Sequence, residues 1–262
     1  MTIHNTAVIP DGAKIADDVQ IGPYCVIGEN VEIASGCVLK SHVSIEKNTK
    51  IGKNNVFYPF CVVGVEPQDL KFVGESSRLE IGDNNVIREH VTIHLGTKDG
   101  GMLTKIGNNN LLMVGVHIAH DCIVGNNIIL ANNATLAGHV VVDDDVVIGG
   151  LSAVHQFARI GKGAMIGGMS AVAGDVIPYV TVTGERAGIA GLNLIGVKRK
   201  GADKAQINDL RAYFKEVFQS DSDLSFSNRI IDSGKNYSSE LVKDIVGFVS
   251  RDTSLQFCQM KK

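Results

Sequence analysis

From Ile106 to Ile177 an aliphatic residue recurs at every sixth position: Ile106, Leu112, Ile118, Val124, Leu130, Leu136, Val142, Ile148, Val154, Ile160, Ile166 and Val172. The next position is often glycine or alanine, as in Gly107, Ala119, Gly125 and Ala131. Four places after each aliphatic residue comes a mostly small one, such as Val116, Cys122, Ala134 or Ser152. Counting the aliphatic residue as slot one, slot five and the following slot one lie two residues apart. On an extended strand they share a face, while slot six between them faces outward. Slots two to four then turn a corner, where glycine and asparagine accept positive φ. An α-helix needs a period near 3.6 and is excluded. The pattern therefore predicts a hexapeptide β-helix, in which three strand-and-corner units close a coil of roughly 18 residues. Residues n and n+18 become neighbours on adjacent rungs, about 4.8 Å apart.

The same register already runs from Ile3 through Ile9, Ile15, Ile21, Ile27, Ile33, Leu39, Ile45, Ile51 and Phe57 to Val63, and resumes at Ile81, Ile87 and Ile93. Two polar segments interrupt it, at about 64–80 and 96–105, and they read as loops thrown out from the prism. Loops on a rigid scaffold tend to carry function. Beyond Ile177 the pattern fades into a basic cluster, Lys198, Arg199 and Lys200. Helical stripes follow: Leu210, Phe214, Val217 and Phe218, then Leu241, Ile245 and Val249. A shorter helix is expected over Leu224–Ile231, and Ser238 or Ser239 as the N-cap of the last one. The expected organisation is thus mainly β, with a β-helix over 1–190 and a C-terminal α-helical domain over 191–262 that caps the open edge.

Composition narrows the class. With 29 glycines, no tryptophan and 5% aromatic residues, the chain suits a narrow aliphatic core. A formal charge of −3 argues against a nucleic-acid binder. No apolar run approaches a spanning length, and Met1–Pro10 has no signal-peptide core, so a cytoplasmic protein with no integral membrane segment is expected. Cys25, Cys37, Cys61 and Cys122 occupy inward slot five without a CxxC pair, which reads as small core residues of a reducing compartment.

Candidate chemistry gathers where histidines do. His117, His120, His139 and His155 fall on slots six, three, four and two, so the register turns all four outward. Gly138 follows His120 by one rung, and His139 follows Asp121. His120, Asp121, Gly138 and His139 are therefore expected as one patch across two rungs, with His155 joining from the rung above and His117 bordering it. The patch offers a base, an orienting carboxylate and a backbone N–H for a developing oxyanion. Cys122 points inward and no other convincing nucleophile is present, so direct transfer is the reaction suggested. His120 would take a proton from a substrate hydroxyl that attacks an acyl donor. His90 and His94 receive no role in this reading.

The stretches His117-Ile-Ala-His-Asp-Cys122, Leu130-Ala-Asn-Asn-Ala-Thr-Leu-Ala-Gly-His139, Ala153-Val-His-Gln-Phe157 and Gln68-Asp-Leu-Lys71 resemble the UDP-N-acetylglucosamine O-acyltransferases that begin lipid A synthesis. The resemblance runs nearly end to end, apart from a divergent helical tail. It implies a left-handed parallel β-helix, a homotrimer with sites between subunits, and transfer of an (R)-3-hydroxyacyl group from acyl carrier protein to the glucosamine 3-hydroxyl of UDP-N-acetylglucosamine. No cofactor or metal is implied, the donor being the carrier-protein thioester. By that likeness His120 is the general base, Asp121 its partner and the Gly138 amide the oxyanion donor. Gln68, Asp69, Lys71, His117, His139 and His155 look like substrate-positioning residues, and Gln156 and Asn193 like nucleotide-sugar contacts. Arg199 and Lys200 stand where the family has two arginines for the nucleotide phosphates, so one forked contact becomes a point charge. Ile195 replaces a residue that is often acidic. Gly168 matches a position that limits acyl length, and a glycine there implies a longer chain.

Four other readings compete, one of them a purely structural β-solenoid, which would need neither the histidine patch nor the two polar loops. A later N-acyltransferase of the same pathway carries an extra N-terminal uridine-recognising domain, which hexads beginning at Ile3 do not suggest. An acetyl-CoA-dependent hexapeptide acetyltransferase is open on fold alone. A γ-type carbonic anhydrase would hold zinc between subunits with three imidazoles, but the pairs His117/His120 and His90/His94 do not match that family's spacing.

Overall fold

A computed structural model describes residues 2–219 and 223–261. Short strands, most of them two residues long, recur around three faces and stack in parallel into a left-handed β-helix. The first face runs from Thr2–Ile3 through Gln20–Ile21 and Val38–Leu39 to Val180–Thr183, and an antiparallel strand, Gly188–Leu192, closes it. The second runs from Val26–Ile27 to Ala171–Val172, and the third from Lys14–Ile15 to Arg159–Ile160. Slot-one side chains such as Ile45, Ile93, Leu130 and Ile148 are fully buried in the shaft. Their partners in the core are slot-five residues, among them Cys61, Val116, Cys122 and Ala134.

Slot four is where the backbone turns through the left-handed region. Asn30, Asn48, Asn54, Asn84, Asn109, Asn127 and Asn133 all have φ near +57°, as a residue with a short local hydrogen-bonding side chain can. The same conformation is imposed on His42, Phe60, Asp121, His139, Leu151, Phe157 and Met169. Rung geometry thus overrides residue preference there.

One departure from the small-residue expectation lies inside the shaft. Slot five is asparagine at 55, 85 and 110, and all three are buried. They form a ladder. Asn85 N and Nδ2 donate to Asn55 Oδ1 at 2.8 and 2.9 Å, Asn110 N donates to Asn85 Oδ1 at 2.9 Å, and Ile128 N donates to Asn110 Oδ1 at 2.7 Å. The Nδ2 groups of Asn55, Asn85 and Asn110 donate to the carbonyls of Gly82, Gly107 and Gly125. Burial of an amide side chain is tolerable because these bonds satisfy it.

The coils are not of equal length. Val63 pairs with Ile93, Ile93 with Ile118 and Ile118 with Leu136, separations of 30, 25 and 18 residues. Both enlarged coils open at one corner, between the second and third faces. Strand Val62–Val65 outlasts its hexad and the third face resumes at Arg78, so the first irregular stretch is 66–77. The second lies between His94 and Leu103 and contains a short 3-10 turn, Lys98–Gly100.

Among the described residues four helices follow: α1 (Leu194–Arg199), α2 (Lys204–Gln219), α3 (Phe226–Gly234) and α4 (Glu240–Val249). The third begins and ends later than the periodicity suggested. Its N-cap is Ser225, whose side chain accepts from Asn228 N. Ser239 stands at the N-cap of α4 without a side-chain cap bond, and Ser238 precedes it. Tyr213 is buried between α2 and α3 and donates to the Ile230 carbonyl at 2.8 Å. The chain then returns along the shaft, where Asp175 N donates to Gln256 O and Cys258 N to Asp175 O. Asp175, fully buried, accepts from Arg159 N and Nε at 2.8 Å each and from Thr253 Oγ1 at 2.6 Å. Arg159 also lies 4.7 Å above the Phe248 ring, so one buried charge pair fastens the tail to the last coils. Among the described residues no helix is long and apolar enough to cross a membrane.

Candidate active site

The corner that releases both irregular stretches also carries the histidines. Directly above the second stretch, His120 and Asp121 turn the corner between His117–Ile118 and Ile123–Val124. One rung higher Gly138 and His139 do the same, and His139 N donates to His120 O at 3.0 Å. His120 Nδ1 lies 2.8 Å from Asp121 Oδ2. The His139 ring stands edge-on to His120, 5.1 Å between centroids, with its Nδ1 3.8 Å from the same carboxylate oxygen.

Asp121 is 5% exposed and its carboxylate accepts at both oxygens. Thr97 N donates to Oδ1 at 2.8 Å and Thr97 Oγ1 to Oδ2 at 2.6 Å, while the Asp121 amide donates to Thr104 Oγ1. A carboxylate surrounded by donors assigns the tautomer of His120. Nδ1 carries the proton and Nε2 keeps a free lone pair. That Nε2 lies against Gly138, where a Cβ would sit 2.7 Å from it and 2.6 Å from Cε1. Only the absence of a side chain lets the imidazole occupy this place. Gly138 is buried, and among the described residues its N–H meets no acceptor.

Around this pair the polarity falls. His139 is stacked on Phe157 at 4.5 Å, and burial pulls its pKa below the ordinary histidine value, against the opposing field of Asp121. His117 hydrogen-bonds Thr92 Oγ1 through Nδ1 at 2.8 Å and is also lowered, by burial first and by His120 second. Its ring meets His94 edge-on at 4.8 Å. His94 is buried, its Nδ1 has no partner among the described residues, and burial with the neighbouring His117 pushes its pKa down to about 4. Neutral imidazoles thus line the floor of the site at neutral pH.

The other expected residues are distributed differently. His155 is exposed and turns Nδ1 onto the Gln156 carbonyl at 3.0 Å; from that rung it is Phe157 that meets His139. Gln68, Asp69 and Lys71 sit on the first irregular stretch, which leans on the second through Lys71–Asp99 at 3.6 Å and through Glu75 Oε1, accepting from Lys98 N at 3.0 Å. Asn193, Arg199 and Lys200 are not brought to this cluster. They line a separate hollow with Asn127, Asp145 and Tyr179. There Asn193 caps α1 by accepting from Gly196 N and donates to Gly163 O, and Lys200 pairs with Asp145. Ile195 is exposed nearby. Gly168 stands on the corner before the second face, 3.3 Å from Gly150 O by its would-be Cβ.

Sequence reasoning missed His94, Thr97, Thr104 and Phe157. Thr97 and His94 flank the break in register, where the six-residue count assigns no neighbours. His120, Asp121 and His139 also form a donor set compact enough for a cation, all three ligand atoms lying within 4.8 Å of one another. In the arrangement present, the lone pairs of Asp121 are committed to Thr97 and His120 instead.

Comparison with known proteins gives a consistent picture. The family described as Udp N-acetylglucosamine O-acyltransferase, domain 2, matches residues 175–256, and the bacterial transferase hexapeptide family matches 1–35 and 103–138. The chain is 57% identical over 261 residues to the acyl-[acyl-carrier-protein]–UDP-N-acetylglucosamine O-acyltransferase of Rickettsia canadensis, covering 99% of this chain and 98% of that one. The counterpart in Rickettsia prowazekii is 56% identical with the same coverage. Among solved structures, the UDP-N-acetylglucosamine O-acyltransferase of Moraxella catarrhalis superposes with a TM-score of 0.94 at 45% identity, over 99% of this chain and 100% of that one. The Arabidopsis UDP-N-acetylglucosamine acyltransferase gives 0.87 at 38%, over 98% and 99%.

Proposed function

We propose a mechanism from one premise: this chain belongs to the UDP-N-acetylglucosamine O-acyltransferase family. It is an acyltransferase that moves an (R)-3-hydroxyacyl chain from acyl carrier protein to the glucosamine 3-hydroxyl of UDP-N-acetylglucosamine. His120 Nε2 takes the proton of that hydroxyl as its oxygen attacks the thioester carbonyl. The carbonyl oxygen becomes an oxyanion, held by the Gly138 N–H. Collapse of the tetrahedral intermediate breaks the C–S bond, and the departing thiolate recovers the proton from His120. Asp121 keeps Nδ1 protonated throughout and steadies the imidazolium between the two transfers.

The observation that carries this reading is the geometry of one side chain. His120 is oriented by a buried carboxylate on one nitrogen, and its other nitrogen lies beside the Gly138 amide, which meets no acceptor among the described residues. Asp69 and Lys71 on the first stretch, with His117, His139 and His155, border the place where the sugar would lie. Asn193, Arg199 and Lys200 belong to a different hollow, so in this reading they act on the nucleotide of a neighbouring copy in a homotrimer. The five buried free cysteines support the reading that the protein works in a reducing cytoplasm.

The test uses the purified full-length chain with UDP-N-acetylglucosamine and a 3-hydroxyacyl carrier-protein thioester, with products read by mass spectrometry. The ester at the sugar 3-position is expected, with His120→Ala lowering kcat about 10²- to 10⁴-fold while the protein stays folded. Near wild-type turnover by that variant, or equal use of acetyl-CoA, would refute the assignment.

A further inference from the structure

We infer that Thr97 is a positioning residue for acyl transfer, fixing through its amide and hydroxyl the carboxylate that orients His120. The inference rests on the His120–Asp121 reading above. Thr97 occupies the N-cap position of the turn Lys98–Gly100, where a threonine hydroxyl ordinarily accepts from the turn's own amides. Here the side chain makes no cap bond. It is directed out of the turn instead, donating to Asp121 Oδ2 at 2.6 Å while its amide donates to Oδ1 at 2.8 Å. Thr97 is 3% exposed, so no solvent donor replaces a lost one. Both carboxylate oxygens are pinned, and the edge left to His120 Nδ1 is set by Thr97.

The turn is also closed down on the carboxylate. A Cβ at Gly100 would fall 1.9 Å from Asp121 Cγ, and its φ lies outside the left-handed region, so proximity alone explains the glycine. The first stretch grips the same turn at Lys98 and at Asp99. Glu75 accepts from the Lys98 amide, and Lys71 pairs with Asp99. The stretch carrying Asp69 and Lys71 is therefore tied to the orienting carboxylate through one short turn.

A double-mutant cycle on the full-length chain tests the role, reading kcat and KM for both substrates. Thr97→Val keeps volume and amide but removes one charge-assisted hydrogen bond. It should lower kcat about tenfold or somewhat more and leave KM for UDP-N-acetylglucosamine within about twofold. Thr97→Ser should restore most of the turnover. Gly100→Ala, with Thr97 intact, should give a kcat loss of similar size by displacing the carboxylate. In an Asp121→Asn background, Thr97→Val should add no further loss, because its action runs through Asp121. Equal fractional losses in both backgrounds, or a Thr97→Val kcat within twofold of wild type, would overturn the positioning role. If Asp121→Asn alone left kcat unchanged, the His120–Asp121 reading itself would fall, and this inference with it.

Discussion

Replacing Gly138 with alanine isolates the placement of one ring. The substitution keeps the backbone N–H, and the backbone at 138 lies outside the left-handed region, so alanine can be accepted there. What it adds is a methyl group 2.6 Å from His120 Cε1, and the ring must retreat by about 0.8 Å to reach an ordinary 3.4 Å contact. His120 cannot do that freely, because Nδ1 is held at 2.8 Å by Asp121. Retreat therefore strains or breaks a hydrogen bond to a charged group, worth about 1.5–3 kcal/mol. Misplacing a reacting group by about 1 Å lowers rate on the order of 10²-fold, or about 2.7 kcal/mol in the barrier. Gly138→Ala should thus reduce kcat roughly a hundredfold, while melting temperature stays within a few degrees. Steady-state kinetics with a 3-hydroxyacyl carrier-protein thioester, beside a thermal melt, would measure both. A folded Gly138→Ala enzyme turning over at the wild-type rate would mean that His120 does not work from the position described.

Three further outcomes follow from other parts of the molecule. Asp175→Ala leaves Arg159 mostly buried without its partner and should cost about 3–5 kcal/mol of stability in urea unfolding; a loss under about 1 kcal/mol would deny that this pair fastens the tail. His94 has a folded pKa lowered to about 4 by burial, whereas the unfolded value is about 6.5. Its neutral burial therefore stabilises the fold fully above about pH 6.5 and loses that contribution as pH falls toward 4, in the same direction as His117 and His139. His94→Gln should flatten the decline of the urea midpoint between pH 7 and 5, and an unchanged slope would contradict the buried-neutral assignment. Profiling donors of different length should show preference for long 3-hydroxyacyl chains if Gly168 opens the acyl path, and preference for short ones would exclude it.

The shaft was legible because a strict period leaves little freedom: every sixth residue must point inward, and the aliphatic series states which. The pairing of Gly138 with His120 followed from one rung of arithmetic. What escaped lay where that arithmetic stops. Coils of 30 and 25 residues put Thr97 and His94 beside residues no fixed offset could reach. Asn55, Asn85 and Asn110 were hidden for another reason: an amide on an inward slot looks like a defect until its neighbours above and below are seen to satisfy it. Phe157 was overlooked because an aromatic residue on an outward slot normally signals nothing, and only the ring beneath it gives it a task.

The buried file of asparagines also bears on how such a scaffold can change over evolutionary time. A solenoid grows or shrinks by copying or deleting whole turns, and elsewhere along the shaft a duplicated turn meets surfaces much like its own. Between residues 55 and 128 a copied turn would have to bring its own amide to the same lateral spot, or leave two polar groups facing an aliphatic wall. Length variation among descendants of this chain should therefore gather on either side of that segment, leaving the two oversized turns at a constant distance from the histidines above them.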